Sequence, residues 1–594
     1  MLKHGSSVGV LARSGVRPVA RTRNASTRAV RPDPAPSLRH PAFQDLEDRL
    51  GRLPCFRARA HDCVKVLYEP QEFYQSLLRK IRHAKQRIFI ASLYVGKEEK
   101  ELVSTLHDAL QRNPRLELTF LTDYFRSTRE NPNPCSASLL ASLAAAFPDR
   151  VDLRLFHTPD LYGWKEKIVP NRFNEGWGLQ HMKVYGFDDD VIMSGANLSR
   201  DYFTNRQDRY IEFNQHPPLA DFFSELVSTT SAYSYRVTAT DTTTAHPKIS
   251  LEWPSSNPFP CAPFPKPHLI PAYVNSASEA YTDLVSRWVS KPWQSLASPL
   301  PPFASSTSPS ETSNPEATVL RSPSPAPSTI ASYHPSYPLP TPYDTTLRPV
   351  LQMYPFGQTH ETALVVPSIF STANALATAP GGGETTIDWT SGYFGLRREY
   401  KDLVLGCKAK VGIVSASPEA NGFFGSRGVS KYIPPAYTLF SKEFFDEVME
   451  QAKRRRKLEP GVEMREWKKS GWTYHAKGIW LTPALSNRFS TPLNASPLAD
   501  ANDLDQYLLS LTPLPPYLTL IGSSNYGSRS ATRDLEANVL VTTQSLGLRK
   551  QLEKELRKIR HDATDVVDEH LFGRKDRKVG WGVKVAAKLI ESML

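Results

Sequence analysis

The reading turns on Gly178-Leu-Gln-His-Met-Lys-Val-Tyr-Gly-Phe-Asp188, GLQHMKVYGFD. In an extended chain alternate residues share a face, so His181 and Lys183 project together while Met182 and Val184 point the other way. One such pair is also what any half-buried strand with a polar face displays. The chain, however, repeats it. Trp472-Thr-Tyr-His-Ala-Lys-Gly-Ile-Trp480 carries His475 and Lys477 at the same spacing. Beyond each pair an apolar strand runs into a small-residue turn ending in asparagine, Ser194-Gly-Ala-Asn197 and then Gly522-Ser-Ser-Asn525. An acid follows each asparagine at one fixed offset, Asp208 after Asn197 and Glu536 after Asn525.

Two imidazoles, two ammonium groups, two carboxamides and two acids suit phosphodiester transfer without a metal. One imidazole attacks phosphorus to give a covalent phosphohistidine, which divides a difficult displacement into two easier ones. The other protonates the leaving group and then deprotonates the incoming alcohol. Lys183, Lys477, Asn197 and Asn525, with Ser523 beside the second turn, hold the non-bridging oxygens as their charge grows. Asp208 and Glu536 orient the imidazoles and fix their tautomers. Both halves are then required to build one site at a pseudo-two-fold interface.

The rest of the chain supports two related α/β halves. Arg87-Val95 reads as a strand followed by a helix from about Lys97 to Gln111, with further strands at Leu116-Thr122, Val151-Phe156, Lys183-Phe187 and Val191-Ser194. The second half repeats the logic, with a strand Ile387-Phe394, a helix Leu396-Leu405, and strands at Lys410-Ser415, Ile479-Leu481, Leu518-Ile521 and Asn538-Thr542. Strands alternating with helices imply layered α/β sheets. The expected organisation is a basic leader over 1-40, a first domain over 43-250, a Pro/Ser-rich linker or insert over 251-350, a second domain over 351-572 and a basic amphipathic tail over 573-594. Within the linker, proline density and scarce charge predict disorder, interrupted by a short helix near Ala277-Val289. The surplus between His475 and Asn525, 483-516, reads as a surface insertion.

Composition narrows the partners. A chain of 594 residues with 40% hydrophobic and 22% charged residues holds two sizeable cores, and its formal charge of +12 suits an anionic partner. Cys55, Cys63, Cys135, Cys261 and Cys407 are odd in number and lack CxxC spacing, which argues against a zinc site or a disulfide framework. No apolar run is long enough for a membrane span. The first 32 residues carry Lys3, Arg13, Arg17, Arg21, Arg23, Arg28 and Arg31 and no acid, the composition of a mitochondrial transit peptide. The basic run Lys453-Lys457 and the tail from Arg574 onward are candidate contacts with an anionic leaflet.

HMKVYGFD resembles the His-x-Lys-x(4)-Asp motif of the phospholipase D superfamily, with Asp188 as its acid. More narrowly, NRFNEGWGLQHMKVYGFDDDVIMSGANLSRDYFTNRQDRYIEF, SPEANGFFGSRG (Ser417-Gly428), WTYHAKGIWL and IGSSNYGSRS look like eukaryotic mitochondrial phosphatidylglycerophosphate synthases. The resemblance implies two phospholipase D-like α/β domains, each with a mixed sheet. It also implies transfer of a phosphatidyl group from CDP-diacylglycerol to glycerol 3-phosphate with release of CMP, on the route to cardiolipin. The expected location is the matrix face of the mitochondrial inner membrane, with peripheral attachment, no nucleic-acid partner and no required cofactor, although a divalent cation could assist substrate binding.

One departure stands out. Thr482 occupies the place of the second motif's Asp. The complete motif makes His181 the preferred nucleophile and His475 the acid/base, although the symmetry permits the reverse. Arg126 and Arg129, at a strand end, are candidates for the phosphate of glycerol 3-phosphate. Arg427, in the Asn421-Gly428 stretch, is a candidate for the pyrophosphate, and that stretch could instead receive the acyl-glycerol portion. The same imidazoles would serve a cardiolipin synthase, a phosphatidylserine synthase, a phospholipase D or a nucleic-acid phosphodiesterase.

Overall fold

The computed structural model describes residues 40–170, 173–239, 246–291, 343–379, 384–455, 461–484 and 515–590. The leader, the central part of the Pro/Ser-rich segment, most of the 483-516 insertion, Arg456, Lys457 and the last four residues lie outside that set.

Two mixed sheets share one strand order. In the first, neighbouring strands run Ile249–Glu252, Tyr235–Ala239, Val151–Phe156, Glu117–Asp123, Arg87–Ala91, Val184–Phe187, Asp190–Ser194, Tyr210–Phe213 and Val64–Leu67. In the second they run Asp565–Val566, Val462–Trp467, Lys410–Ala416, Thr386–Ser391, Lys477–Thr482, Leu518–Gly522, Glu536–Thr543, Thr345–Met353 and Phe56–Ala58. In each half three parallel strands meet the strand that follows a motif histidine, which runs antiparallel to them.

The sheets pack face to face, and the side-chain alternation of the strands shows how. Val184, Val191, Met193 and Ile211 meet Trp480, Ile521, Val539 and Val541 in one central core. The intervening Tyr185, Ile192 and Tyr210 enter the first sheet's outer core, and Ile479, Leu520 and Leu540 enter the second's. With both faces covered, these strands read as nearly continuous apolar runs. A buried cation pins the halves together. Arg209 makes a bidentate pair with Glu555 (2.9 Å to each oxygen), donates to the Leu520 carbonyl (2.9 Å), and lies 3.8 Å from the centre of the Trp480 ring.

Two expected boundaries are corrected. Residues 41–58, assigned above mainly to the first half, belong to the second. The helix Pro41–Arg49 buries Phe43 and Leu46 in the second half's outer core, and Phe56–Ala58 pairs antiparallel with Thr345–Met353. The segment 251–291, placed above in the linker, is built into the fold. Its prolines sit in the irregular stretch 254–265 and at the starts of helical turns, Pro267 and Pro271, while Trp253, Phe259 and Phe264 surround Tyr273 on the long helix Ile270–Ser290. Aromatic burial outweighs the proline signal there.

Candidate active site

Each histidine stands just before a strand that its own half provides, held by backbone from the other half. His181 N donates to the Leu535 carbonyl (3.0 Å) and His475 N to the Gln207 carbonyl (2.8 Å). The carboxylates cross in the same way. His181 Nδ1 lies 2.9 and 3.0 Å from the two oxygens of Glu536, and His475 Nδ1 lies 2.7 Å from Asp208 Oδ2. All four side chains are buried, each acid at 2% exposure or less.

The lysines close the constellation. Lys183 Nζ donates to the His181 carbonyl (2.6 Å) and Lys477 Nζ to the His475 carbonyl (2.7 Å), so each ammonium folds back beside its imidazole. Lys477 Nζ also approaches His475 Nδ1 to 2.8 Å, sharing that nitrogen with Asp208. Gly195 leaves room for this grouping, since a Cβ there would fall 2.6 Å from Asp208 Oδ1 and 2.9 Å from Lys477 Nζ. Asn197 donates to the Tyr202 hydroxyl (3.1 Å), which lies 3.3 Å from His475 Nε2. Among the described residues the buried Oδ1 atoms of Asn197 and Asn525 have no protein donor, as expected of groups placed for a ligand.

Burial dominates the electrostatics. It holds both imidazoles well below their ordinary pKa, with the flanking lysines adding to the effect, so both rings are neutral without substrate. Burial pushes Lys183 well below the ordinary lysine range and Lys477 down to about 8. It pushes Asp208 up to about 6, against the opposing pull of Lys477, and raises Glu536. A bound phosphate diester would restore charge to the lysines and to His475, because an anion in a dry site favours the cationic form.

The structure separates the other sequence candidates. Asp188 stands at the far end of the strand from His181, in a left-handed conformation (φ 52°). There its carboxylate accepts from the amides of Lys85, Gln86 and Arg87 at 2.8, 2.8 and 3.1 Å. It braces the hairpin between Val184–Phe187 and Asp190–Ser194 and does not face the imidazole. This accounts for Thr482, which ends a strand paired with Thr386 and is followed by the long insertion, so there is no tight hairpin to brace. The Ser523 hydroxyl donates to Glu536 and accepts from the Ala537 amide, positioning the acid instead of facing a phosphate. Arg129 is paired with Glu175, Arg126 lies 4.0 Å from the Tyr94 ring centre, and Arg427 is exposed at the start of a short helix.

Several participants escaped the sequence reading. Gln180 fixes the segment before His181 by donating to the Ser92 carbonyl (3.0 Å) and accepting from the Met182 amide (2.6 Å). Tyr202 and Tyr393 set their rings edge-on to His475, at 5.1 and 5.5 Å. Asp534 holds the Leu179 amide (3.0 Å) and Arg529 (2.9 Å). His181, Asp534 and Glu536 cluster closely enough to suggest a metal site, but their nearby atoms already contact one another or protein donors. The only sequence trace of Asp534 is its place two residues before Glu536.

Comparison with known proteins agrees with this architecture. No family model matches the chain. It is 35% identical over 577 residues to the CDP-diacylglycerol–glycerol-3-phosphate 3-phosphatidyltransferase of Saccharomyces cerevisiae, covering 95% of this chain and 94% of that one. The Schizosaccharomyces pombe protein of the same name is 35% identical over 533 residues, covering 87% of this chain and 92% of the relative. The human protein, whose name adds "mitochondrial", is 34% identical over 537 residues, covering 89% and 82%. Among solved structures, the phosphatidylserine synthase of Haemophilus influenzae aligns with a TM-score of 0.56 at 18% identity, covering 93% of this chain and 99% of that one, a likeness of fold.

Proposed function

The chain belongs to the CDP-diacylglycerol–glycerol-3-phosphate 3-phosphatidyltransferase family, and from that premise we propose that it moves a phosphatidyl group from CDP-diacylglycerol to sn-glycerol 3-phosphate through a phosphatidyl-histidine on His181. The observation that carries the covalent route is the pair of crossed carboxylate–imidazole contacts in one buried site.

Glu536 grips His181 Nδ1 with both oxygens, which keeps the proton there and leaves Nε2 with a lone pair for phosphorus. As the Nε2–P bond forms, the bond from phosphorus to the CMP oxygen breaks, and His475 protonates that oxygen. CMP leaves. His475, now neutral, takes the hydroxyl proton of glycerol 3-phosphate, the freed oxygen attacks phosphorus, and the P–N bond breaks to restore His181. Lys183, Lys477, Asn197 and Asn525 surround the non-bridging oxygens through both steps. His181 suits the nucleophile because its Nδ1 faces only a carboxylate, whereas His475 Nδ1 is shared with an ammonium.

Purified enzyme in mixed micelles with CDP-diacylglycerol should release CMP only when glycerol 3-phosphate is present, and yield phosphatidylglycerophosphate by mass. Two in-line displacements also demand net retention of configuration at a chiral phosphorus. Inversion would overturn the covalent route, and phosphatidic acid made equally well without acceptor would make the enzyme a hydrolase.

The lipid donor places the mouth of the site on a membrane. Trp164 and Ile168 (66% exposed each) project from a helix with no buried residue at the C-terminal edge of the first sheet, next to Lys165 and Lys167. In the second half Phe424, in the turn over 422–425, and Trp581, at the start of the helix Trp581–Ile590, are exposed near Arg427, Lys431 and Lys584 in sequence. This arrangement favours peripheral docking on an anionic leaflet, each basic residue adding about 1 kcal/mol near the surface. Among the described residues no helix is long and apolar enough to cross a membrane. Lys453–Arg455, at the far end of the helix Ile433–Arg454, lie about 33 Å from its site-facing start and are replaced as the docking candidate. The mitochondrial names of the vertebrate relatives support a mitochondrial location, and within it we propose the matrix face of the inner membrane.

A further inference from the structure

Superposing the two halves on their asparagine turns brings out a reversal of charge. Four residues after Asn197 stands Asp201 and nine after it stands Arg206; after Asn525 the same places hold Arg529 and Asp534. Both pairs close as ion pairs, Arg206 Nη2 to Asp201 Oδ2 at 2.6 Å and Arg529 Nε to Asp534 Oδ2 at 2.9 Å. The construction is the same and its polarity is inverted. A guanidinium therefore stands by the approach to His475, where a fully buried carboxylate stands by the approach to His181.

The two residues differ in what remains available. Asp534 uses one oxygen on the Leu179 amide and the other on Arg529. Arg206 binds Thr473 Oγ1 through Nε (2.9 Å) and Asp201 through Nη2, and makes no hydrogen bond through Nη1 among the described residues. Its guanidinium lies 4.5 Å from the centre of the Tyr202 ring, whose hydroxyl reaches His475. The Gly422 backbone packs closely against it: a Cβ there would fall 3.1 Å from Arg206 Nη2 and 3.2 Å from the Tyr393 hydroxyl. A cation and a phenol thus converge next to the imidazole that must deprotonate the acceptor.

We infer that Arg206, with the Tyr393 hydroxyl, binds the phosphomonoester of the acceptor. This deepens the reaction proposed above and rests on it. The acceptor's reacting hydroxyl is separated from its own phosphate by three carbons, so an anion receptor must lie beside the general base without overlapping the transferred phosphate. On the His181 side that place holds Asp534, whose oxygens are taken by the Leu179 amide and Arg529 and which offers a phosphate no donor. The reversal gives an almost symmetric fold a distinct acceptor side, and it disfavours a neutral alcohol, which leaves Arg206 Nη1 without an acceptor.

The test compares Arg206→Met and Arg206→Lys with wild type, using glycerol 3-phosphate and glycerol as alternative acceptors and CMP exchange into CDP-diacylglycerol as the readout of the donor half-reaction. A charge-assisted phosphate contact corresponds to about 10- to 100-fold in binding. Arg206→Met is expected to raise KM for glycerol 3-phosphate by that factor and to narrow the preference over glycerol equally. Exchange should fall by much less, and Arg206→Lys should recover part of the preference. Gly422→Leu, which crowds the Arg206 and Tyr393 polar atoms without removing the cation, is expected to raise the same KM. An unchanged preference in Arg206→Met overturns the assignment. So does an equal fall in exchange and transfer, which would place Arg206 on the donor or make it a support for His475. Wild-type enzyme that releases CMP without regard to glycerol 3-phosphate would instead overturn the reaction itself.

Discussion

His181 Nδ1 lies 2.9 Å from Glu536 Oε1, a carboxylate 355 residues further along the chain. The reciprocal pair, His475 and Asp208, spans 267 residues in the opposite sense. Neither half therefore contains a working imidazole by itself, because each supplies the acid that sets the other's tautomer.

Replacing Glu536 with Gln keeps the shape of the contact but removes the preference for a proton on Nδ1. Turnover should fall about 10²–10⁴-fold, as expected for a misoriented acid/base. CMP release with glycerol 3-phosphate measures it, and a circular dichroism spectrum matching wild type separates it from misfolding. Activity within a few fold of wild type would remove Glu536 from the mechanism.

The pH profile follows from two buried groups. Asp208, raised by burial to about 6, must be ionised to hold His475, so kcat/KM should fall as pH drops through that value. Lys477, lowered by burial to about 8, must be charged, so kcat/KM should also fall as pH rises past it. Stability behaves differently on the alkaline side. Between about 8 and the ordinary lysine value the unfolded chain binds more protons than the folded one at this residue, so its contribution to stability rises with pH. Kinetics and urea midpoints measured across pH 5–10 should diverge above 8, and a single parallel decline would contradict the assignment.

Asp188 offers the converse test. Asp188→Ala leaves three backbone amides without their acceptor at a partly exposed turn, a loss of about 1–3 kcal/mol in unfolding free energy. At temperatures where the variant is folded, kcat should stay within a few fold of wild type. A loss of several orders of magnitude in kcat with an unchanged urea midpoint would return Asp188 to the chemistry.

Arg209→Met should destabilise the protein more than any change at the site, by about 3–5 kcal/mol, because Glu555 is left buried without its cation. Adding Glu555→Gln should recover part of that loss in chemical denaturation. If the double variant is as unstable as the sum of the singles, the pair is not coupled.

Changing Trp164, Phe424 and Trp581 together to Ser should reduce co-flotation with anionic vesicles while leaving turnover on a detergent-dispersed donor nearly intact. Equal flotation would move the membrane contact elsewhere on the surface.

Much of this arrangement is legible in the amino-acid sequence. The repeated His-x-Lys spacing locates both imidazoles, and apolar runs such as those in Asp190–Ser194 and Leu518–Gly522 locate their strands, because burial on both faces leaves a continuous signal. Which acid serves which histidine is not legible, since Asp208 and Glu536 follow their asparagines identically and only the packing of the sheets crosses them. Asp188 misleads for a related reason: motif membership records that a residue recurs, and a hairpin brace recurs as faithfully as a catalyst. The proline-dense stretch around Phe259 and Phe264 looks unable to fold by composition, yet its rings find an aromatic cluster supplied by a distant helix.

The strand Phe56–Ala58 carries one more consequence. It is among the first described residues to be made, yet its partner strand ends at Met353, and that strand in turn lies against Glu536–Thr543. A chain emerging from its N-terminus must hold this segment unplaced until nearly the whole sequence has followed. The order of assembly thus runs against the order of synthesis, and the second half closes around a segment made long before it. A ribosome-stalled or truncated product ending before residue 536 should keep residues 41–58 open to protease, whereas the finished protein protects them.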